Sequence, residues 1–451
     1  MLPTAATLDE RDEWFGVYAE GRKIGHAHRV TARTEDGYAF YEDSVVALAM
    51  LGVPQTLRTA LTAETDDAFI LRRFTFTLTS PATEFSAHGA SDGRRLDVTY
   101  GAAGHEAELS LPLDDPIHLP STLRPHVLAA NSEPGTRYSL PVFSPMTLGN
   151  EPMTVTIEGR EQIAGAEGPI EALKLSEEYG SVRTTVWLDD DGAVLRETTA
   201  LGFALEREPR AMALRGAEDH APIDLVTVSR IPLTGAIPSP RGASLLRLRV
   251  TGAGRTAIPD APPRQRLQRD LLHVTREPMP TAAPLDRVPP AALAPYLAPA
   301  PLIEADDPKI AARARTIVGD TDDAVIAARR LVHWVYSHVA KEPSVTVPSA
   351  RAVLAAGRGD CNEHAVLLTA LARASGIPAR MVAGAVYAND GFYYHAWTEL
   401  WLGGWISADA VFDQLPVDAT HVKLMDGGPE RHIALVSVVG RLAFEVEGVS
   451  S

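Results

Sequence analysis

Short alternating runs of hydrophobic and polar residues recur from residue 12 to residue 254. In residues 73–79 and 181–188, apolar or β-branched residues alternate with polar ones. A period of two is typical of strands that bury one face. Asp-Gly pairs, which supply the positive φ angles of tight hairpins, separate such runs at residues 36–37, 92–93 and 191–192. The pattern predicts an antiparallel, β-rich N-terminal domain whose first hairpin turns at Glu20-Gly21.

The pattern changes in residues 255–304. Prolines interrupt regular elements there, at positions 262, 263, 289, 290, 295, 299 and 301, and alanine fills much of the remainder. Proline fixes φ and lacks the N–H group that helices and sheets use. We therefore predict an extended, semi-rigid connector between two domains.

Residues 305–451 show helical spacing and then further strands. A helix capped by Asp320 or Thr321 is predicted to reach about His338, because apolar residues recur there every three to four positions. A second helix, apolar nearly all round and therefore buried, is predicted from Asp360 or Cys361 to about Gly376. Strands are predicted at residues 379–387, 392–402 and 405–409. The predicted fold class is α+β.

Length and charge narrow the class of protein. The 451 residues exceed what one hydrophobic core usually supports, so two domains are expected. The net charge of −16 disfavours nucleic acid as a partner. No apolar run is long enough to span a bilayer, and residues 1–14 lack the features of a signal peptide. We expect a soluble protein, cytoplasmic by default, or exported if a leader has been removed.

Cys361 is the single cysteine, so it forms neither an internal disulfide nor a cysteine-rich zinc site. Free cysteines are most often small buried hydrophobes. This one stands instead in a polar Gly-Asp-Cys sequence at a predicted helix start. A helix N-terminus favours a thiolate, and its free N–H groups can bind an oxyanion. The position therefore favours a nucleophile.

His395 and Asp409 follow in the order that a thiol enzyme needs. His395 lies between aromatic residues on one predicted strand, and Asp409 ends the next. A carboxylate on a neighbouring strand can accept the imidazole N–H and fix its tautomer. Taken singly, each has a simpler explanation, as a structural histidine or a turn residue. Together with Cys361 they suggest a catalytic triad.

These motifs resemble the transglutaminase-like superfamily, whose core is papain-like. The resemblance rests on residues 359–365, 370–380, 395–397 and 405–409, and it spans about residues 305–440. It implies a bacterial type of transglutaminase-like catalytic domain with Cys361 as nucleophile, His395 as base and Asp409 as the residue that orients the base. One departure is visible: bacterial members often read Asp-Pro-Thr where this chain has Asp409-Ala410-Val411.

The predicted function is acyl transfer on amide bonds through a cysteine thioester, with hydrolysis favoured slightly over transamidation. The substrate is expected to be a peptide, a protein or a small amide, with an amine as a second acceptor in the transamidating case. Candidates for substrate or oxyanion contacts are Asn362, Tyr393, Tyr394 and Trp397. No cofactor is expected, and Glu363-His364 lacks the second histidine of a HExxH zinc site. The alternative is a non-catalytic module that binds a peptide or lipid-like ligand in its β-rich domain.

Overall fold

The structure is a computed structural model that describes residues 10–451, apart from residues 82, 103, 131–132, 166–167, 181, 200–201, 217–221, 229, 253–257, 286–289, 344–345 and 429–439. The chain divides into two compact units between Leu225 and Val226. The boundary predicted at residues 254–255, and Pro289 of the predicted connector, lie outside the described residues. Each unit is described by itself below.

The N-terminal unit is built mainly of antiparallel strands. Its strands are β1 (Arg11–Ala19), β2 (Arg22–Thr34), β3 (Gly37–Met50), β4 (Val53–Thr65), β5 (Leu71–Thr79), β6 (Glu84–Ser91), β7 (Arg95–Ala102), β8 (His105–Pro112), β9 (Arg137–Ser144), β10 (Gly149–Gly165), β11 (Gly168–Tyr179), β12 (Val182–Leu188), β13 (Val194–Thr199), β14 (Phe203–Arg207) and β15 (Ile223–Asp224). The helices are α1 (Pro120–Ala130), α2 (Arg210–Ala213) and α3 (Leu225–Val228), which crosses the unit boundary.

The sheet is a meander that starts at its middle. Strands β1 to β8 run outward as successive hairpins, the chain then continues through α1 to β9, and β9 to β14 return until β14 pairs with β1. The first hairpin turns at Glu20 and Gly21, both with positive φ. This arrangement confirms the predicted antiparallel β-rich region.

Alternation along the strands sets the core of the N-terminal unit. Phe74, Phe76 and Leu78 of β5 are buried, while Thr75 and Thr79 between and after them are exposed. Because burial follows the period of two, this segment behaves as its sequence predicts.

The N-terminal unit also buries two glutamates, Glu177 and Glu197, beside two half-buried arginines. Arg124 donates two hydrogen bonds to Glu177, at 2.7 and 2.9 Å, and a third to Glu197 at 2.9 Å. Arg29 donates to the same oxygen of Glu197 at 2.6 Å. Two arginines thus neutralise two glutamates away from water.

The C-terminal unit combines helices with two larger sheets. Its strands are β16 (Leu233–Thr234), β17 (Leu245–Thr251), β18 (Gln265–Gln268), β19 (Leu271–Thr275), β20 (Ala340–Lys341), β21 (Arg358–Gly359), β22 (Ala379–Ala388), β23 (Gly391–Trp401), β24 (Trp405–Ala408), β25 (His421–Asp426) and β26 (Ala443–Ser450). Its α-helices are α4 (Pro308–Val318), α5 (Ala324–His338), α6 (Ala350–Ala356) and α7 (Cys361–Ala374), and 3-10 helices occur at Pro240–Gly242 and Ala291–Tyr296.

Sheet order differs from chain order in this unit. One sheet has the order β16-β26-β17-β19-β18, and another has the order β24-β23-β22-β25, while β20 pairs with β21. Helices α4 to α7 share a hydrophobic core with residues of β22, β23 and β24. A second core joins β17, β19 and β26 to β22 and β25.

Part of the segment predicted as a connector forms two strands of the β16-β26-β17-β19-β18 sheet. Residues 264–277 contain no proline. Strands β18 and β19 form a hairpin there, and Leu272 and Val274 are fully buried. The prolines on either side of this window dominate the pattern of residues 255–304, so this strand pair was not predicted. Strand β17 pairs with β19 and extends it.

The predicted helices agree closely with the structure. Helix α5 ends at His338 as predicted but begins after Asp323, whose side chain accepts the N–H of Val325, rather than after Asp320 or Thr321. Helix α7 is buried along most of its length, as its apolar sequence predicts. In the described part of the chain, none of the helices is long and apolar enough to cross a membrane.

Candidate active site

Helix α7 begins at Cys361 because Asp360 caps it. The Asp360 carboxylate accepts the N–H of Asn362 at 2.8 Å, and a Glu363 carboxylate oxygen accepts the Asp360 N–H at 2.9 Å, which completes a capping box. Gly359 is needed here, since a Cβ at that position would lie 2.3 Å from the Cβ of Glu363. The Gly-Asp-Cys sequence thus has a structural reason for each residue before the cysteine.

The cap leaves one main-chain donor beside the sulfur. The Asp360 carboxylate accepts the N–H groups of Asn362 and Glu363. Among the residues the structure describes, the N–H of Cys361 has no hydrogen-bond partner. A first-turn N–H of this kind can receive a developing oxyanion.

Cys361 lies where α7 packs against β23. The main-chain N–H of Ala396, which follows His395 directly in β23, lowers the pKa of the thiol. In the described structure the thiol makes no hydrogen bond with the imidazole of His395 itself. Hydrogen bonds between catalytic groups often form only when substrate binds. The lack of a hydrogen bond between the thiol and the imidazole is therefore compatible with a thiol and a base that act together in the complex.

His395 and Asp409 are joined directly. Nε2 of His395 lies 2.7 Å from Oδ2 of Asp409, and the two side chains are 8% and 1% exposed. The other carboxylate oxygen accepts the N–H of Val411 at 2.6 Å. Burial alone would raise the pKa of Asp409, but His395 and His421 hold it well below its usual range. The carboxylate is therefore ionised and accepts hydrogen bonds throughout the neutral pH range.

His421 is a member of the site that the sequence did not reveal. Its Nε2 lies 3.0 Å from the same Oδ2 of Asp409, and its Nδ1 lies 3.4 Å from Oδ1 of Asp418. His421 is fully buried at the start of β25, and that strand follows the loop after Asp409. The available signal was an Asp-x-x-His sequence among 14 histidines, which does not stand out.

Charges around Cys361 favour its protonated form. Burial raises the pKa of the thiol well above its usual value, the nearby Asp360 carboxylate raises it further, and the N–H of Ala396 opposes both. Burial, together with the neighbouring Glu363 carboxylate, also raises the pKa of Asp360. These effects oppose the influence of the helix N-terminus and favour the protonated thiol.

The four other candidate residues lie in different surroundings. Asn362 is half-buried in the first turn beside Cys361, whereas the Tyr393 hydroxyl donates to Asp390 at the hairpin tip at 3.4 Å. Tyr394 packs against the second core with a buried hydroxyl. Trp397 is 1% exposed, and its ring lies 5.4 Å from that of His421. Asn362 is thus the candidate placed next to Cys361.

Two groups of side chains are of the types that bind metal ions. Glu363 serves the helix cap, and His364 contacts the carbonyls of Asp360 at 2.6 Å and Val339 at 3.2 Å. Within the described ranges, His395, Asp409 and His421 bring their ligand atoms within 4.8 Å of one another. Their N···O distances of 2.7 and 3.0 Å are those of hydrogen bonds.

Residues 311–410 match the family model of the transglutaminase-like superfamily. The C-terminal unit thus carries a transglutaminase-like domain, as the sequence motifs predicted. The match includes Cys361, His395 and Asp409 and ends before His421. No curated protein matches the chain.

Several solved structures are similar to parts of the chain. A proposed cysteine protease from Cytophaga hutchinsonii is 18% identical, with a TM-score of 0.31, and covers 46% of this chain and 83% of its own. A beta-barrel-like protein of a domain of unknown function from Brucella abortus is 13% identical, with a TM-score of 0.36. The match covers 45% of this chain and 96% of the other. A proposed protease from Parabacteroides distasonis is 12% identical, with a TM-score of 0.22. The match covers 73% of this chain and 64% of the other. At these TM-scores the likenesses do not bear on function.

Proposed function

We propose that this protein is a thiol-dependent enzyme that acts on amide bonds through an acyl thioester on Cys361. The observation that carries the proposal is the buried 2.7 Å hydrogen bond from His395 to Asp409, with His395 on a strand that shares a hydrophobic core with α7 and Cys361. Nucleophile, base and orienting carboxylate are the parts that this chemistry needs. The transglutaminase-like domain supports the same assignment.

In the proposed first half-reaction, His395 takes the proton of the Cys361 thiol as the sulfur attacks the amide carbonyl carbon. The resulting oxyanion is held by the free N–H of Cys361. As the C–N bond breaks, the His395 imidazolium gives its proton to the leaving amine. Asp409 stabilises that imidazolium and keeps the proton of the neutral ring on Nε2, so Nδ1 is the basic nitrogen.

In the second half-reaction, water attacks the thioester carbonyl. His395 accepts a proton from the water, the C–S bond breaks, and the proton returns to sulfur. A carboxylic acid leaves. An amine in place of water would give transamidation by the same steps. Hydrolysis is favoured because water is abundant, and excluding it would need a dedicated acceptor site.

Turnover of a mixed panel of peptides and small amides tests this proposal. The parent protein should release amine or ammonia, and acid-quenched samples should carry an acyl adduct on Cys361 by mass spectrometry. Cys361→Ala should do neither, while its thermal unfolding stays near that of the parent. Added amines that enter the product would indicate transamidation. If Cys361→Ala matched the parent in turnover, the thiol mechanism would be excluded.

The reactivity of the thiol separates this enzyme from a non-catalytic binding module. We expect iodoacetamide to label Cys361 stoichiometrically in the native protein, and to do so more slowly in His395→Ala. A thiol that reacts after unfolding but stays inert in the native state would favour the binding module.

A further inference from the structure

Asp409 receives two imidazole groups on one oxygen. Its Oδ2 lies 2.7 Å from Nε2 of His395 and 3.0 Å from Nε2 of His421. All three side chains are buried. An ionised carboxylate has acceptors and no donor, so each imidazole must carry its proton on Nε2. The Nε2–H group of His421 therefore donates to the same oxygen as the Nε2–H group of His395, the proposed base.

His421 is itself held between two carboxylates. Its Nδ1 faces Asp418 at 3.4 Å while its Nε2 faces Asp409. Since both ring nitrogens face acceptors, the arrangement suits the doubly protonated imidazolium. Burial would lower the pKa of His421, but hydrogen bonds from the ring to Asp409 and Asp418 raise it overall.

Two arginines hold Asp418 and the start of β25 in place. Arg241 donates to Asp418 at 2.8 Å, and its guanidinium lies 4.3 Å from the centre of the Phe412 ring. Arg264 donates to the main-chain carbonyls of Asp418 and His421, at 2.7 and 2.9 Å. Arg264 is paired in turn with the buried Glu277 at 2.7 Å. His421 has little freedom to move away from Asp409.

We propose that His421 is a positioning residue: by donating to Oδ2 it holds the Asp409 carboxylate in the orientation that serves His395. This inference rests on the proposed function, and it adds a residue outside the part of the chain that matches the family model. Partners of this kind, one step removed from the reacting atoms, fix tautomer and orientation.

The charges that face His421 also give the site its pH response. They are Asp409 and Asp418, the Arg241 guanidinium paired with Asp418, and His395 across the shared carboxylate. A positive His421 offsets part of the negative charge that Asp409 offers to the His395 imidazolium. Removing that charge should leave the site more negative, so the acidic limb of the pH–rate profile should move to higher pH than in the parent.

Two variants separate the hydrogen bond from the charge. His421→Gln can keep an N–H near the position of Nε2 but carries no charge. We expect its kcat to stay within a few-fold of the parent, with the acidic limb of the pH–rate profile moved to higher pH. His421→Leu removes the donor as well, and should lower kcat by about tenfold or more with KM little changed, since a hydrogen bond to a charged group is lost.

A buried histidine elsewhere serves as the matched control. His118 of the N-terminal unit is 2% exposed and contacts the Phe69 carbonyl at 3.0 Å. His118→Gln should cost stability and leave the pH profile of Cys361 alkylation unchanged. If His421→Gln and His421→Leu also kept the parental profile and kcat, while His395→Ala lost activity, the positioning role would be refuted and the proposed function retained. If His395→Ala had no effect either, the proposed function would fail first.

The same trio offers a metal as a competing explanation. In that case the purified protein would hold a stoichiometric metal ion by mass spectrometry, lose activity with a chelator and regain it with zinc. His421→Gln would then lose the ion. That set of results would overturn the positioning role, whereas full activity in a chelator with no bound metal supports it.

Discussion

The residue that most changes the chemistry expected at Cys361 is its neighbour Asp360. The sequence indicates a helix N-terminus, which lowers the pKa of a thiol. The structure adds burial and the Asp360 carboxylate, which raise the pKa of Cys361. The pKa of the thiol is raised overall, and the proposed mechanism assigns removal of its proton to His395.

Replacing Asp360 tests this balance of charges. Asp360→Asn keeps a side-chain oxygen that can cap α7, because asparagine caps helices as well as aspartate does. Since a nearby negative charge is lost, the pKa of the Cys361 thiol should fall. Iodoacetamide alkylation followed across pH 5–10 should therefore reach half its maximal rate at lower pH than in the parent. An unchanged or higher midpoint, with normal thermal stability, would contradict this account.

Asp409→Asn tests the tautomer that the shared carboxylate imposes. Both imidazoles contact the same oxygen, and the other oxygen accepts the Val411 N–H. The NH₂ group of asparagine would therefore face either the two Nε2–H groups or the Val411 N–H, so a donor meets a donor in both orientations. The comparable exchange in Ser-His-Asp enzymes costs about 10⁴-fold in kcat, and a loss of roughly 10³–10⁴-fold is expected here. Steady-state kinetics on a panel substrate measures it, with circular dichroism to show that the fold persists. A loss below tenfold would mean that Asp409 does not orient the base.

At the scale of elements, α7 and the hairpin of β22 and β23 carry the site, and the sequence predicts both. The Asp360 cap, the apolar body of α7 and the turn near Asn389 are local signals, and each element forms within one or two residues of its predicted bounds. Strand β25 was not predicted. It follows the irregular loop after Asp409, and its position is set by pairing with β22, which a linear pattern does not record.

The capping box makes Gly359 a sensitive position. A Cβ added there would meet the Cβ and Cγ of Glu363 at 2.3 Å, so Gly359→Ala must push the Glu363 side chain out of the cap. Overpacking of this kind typically costs about 1–3 kcal/mol. Chemical denaturation should show that loss of stability, together with altered Cys361 alkylation. Gly403→Ala, at a turn where an added Cβ meets no atom within 4 Å but φ is also positive, is the control for backbone strain alone. Equal losses in the two variants would argue against the cap clash.

At the scale of the whole molecule, the chain consists of two units with different kinds of interior. The N-terminal unit buries Glu177 and Glu197 beside the half-buried Arg29 and Arg124. The C-terminal unit buries its charges around the site and β25. The alternating pattern predicts which faces of the strands are buried. The ion cluster could not be predicted, because its paired residues lie on different elements and are between 53 and 168 positions apart in sequence.

Removing Arg124 should destabilise the N-terminal unit. Arg124→Met fills similar volume but leaves Glu177 without its bidentate partner, and breaking a buried ion pair from one side costs about 3–5 kcal/mol. Calorimetry should show a lower unfolding temperature for one transition, while alkylation of Cys361 keeps its parental rate. A variant with parental stability would show that these charges contribute little.

The same cluster gives the N-terminal unit an acid sensitivity. Burial would raise the pKa of Glu197, but Arg29 and Arg124 lower it to about 2 from an ordinary value of 4.5. A depressed pKa in the folded state stabilises the fold above the unfolded value, and that stability is lost as pH falls from about 4.5 toward 2. Unfolding free energies between pH 6 and pH 3 should decline less steeply in Glu197→Gln. Parallel pH curves for the two proteins would contradict this prediction.

Strand β26 has a consequence for the order in which the C-terminal unit assembles. It pairs with β17, and Ser244 next to β17 contacts the Ser450 carbonyl across 206 positions of sequence. Pairings between such distant segments form slowly, because the intervening chain must first be ordered. Phe444 of β26 packs 5.0 Å from Phe392 at the start of the strand that bears His395. The support that Phe444 gives to the strand of His395 should thus be gained late, when the β17–β26 pairing forms in the refolding chain.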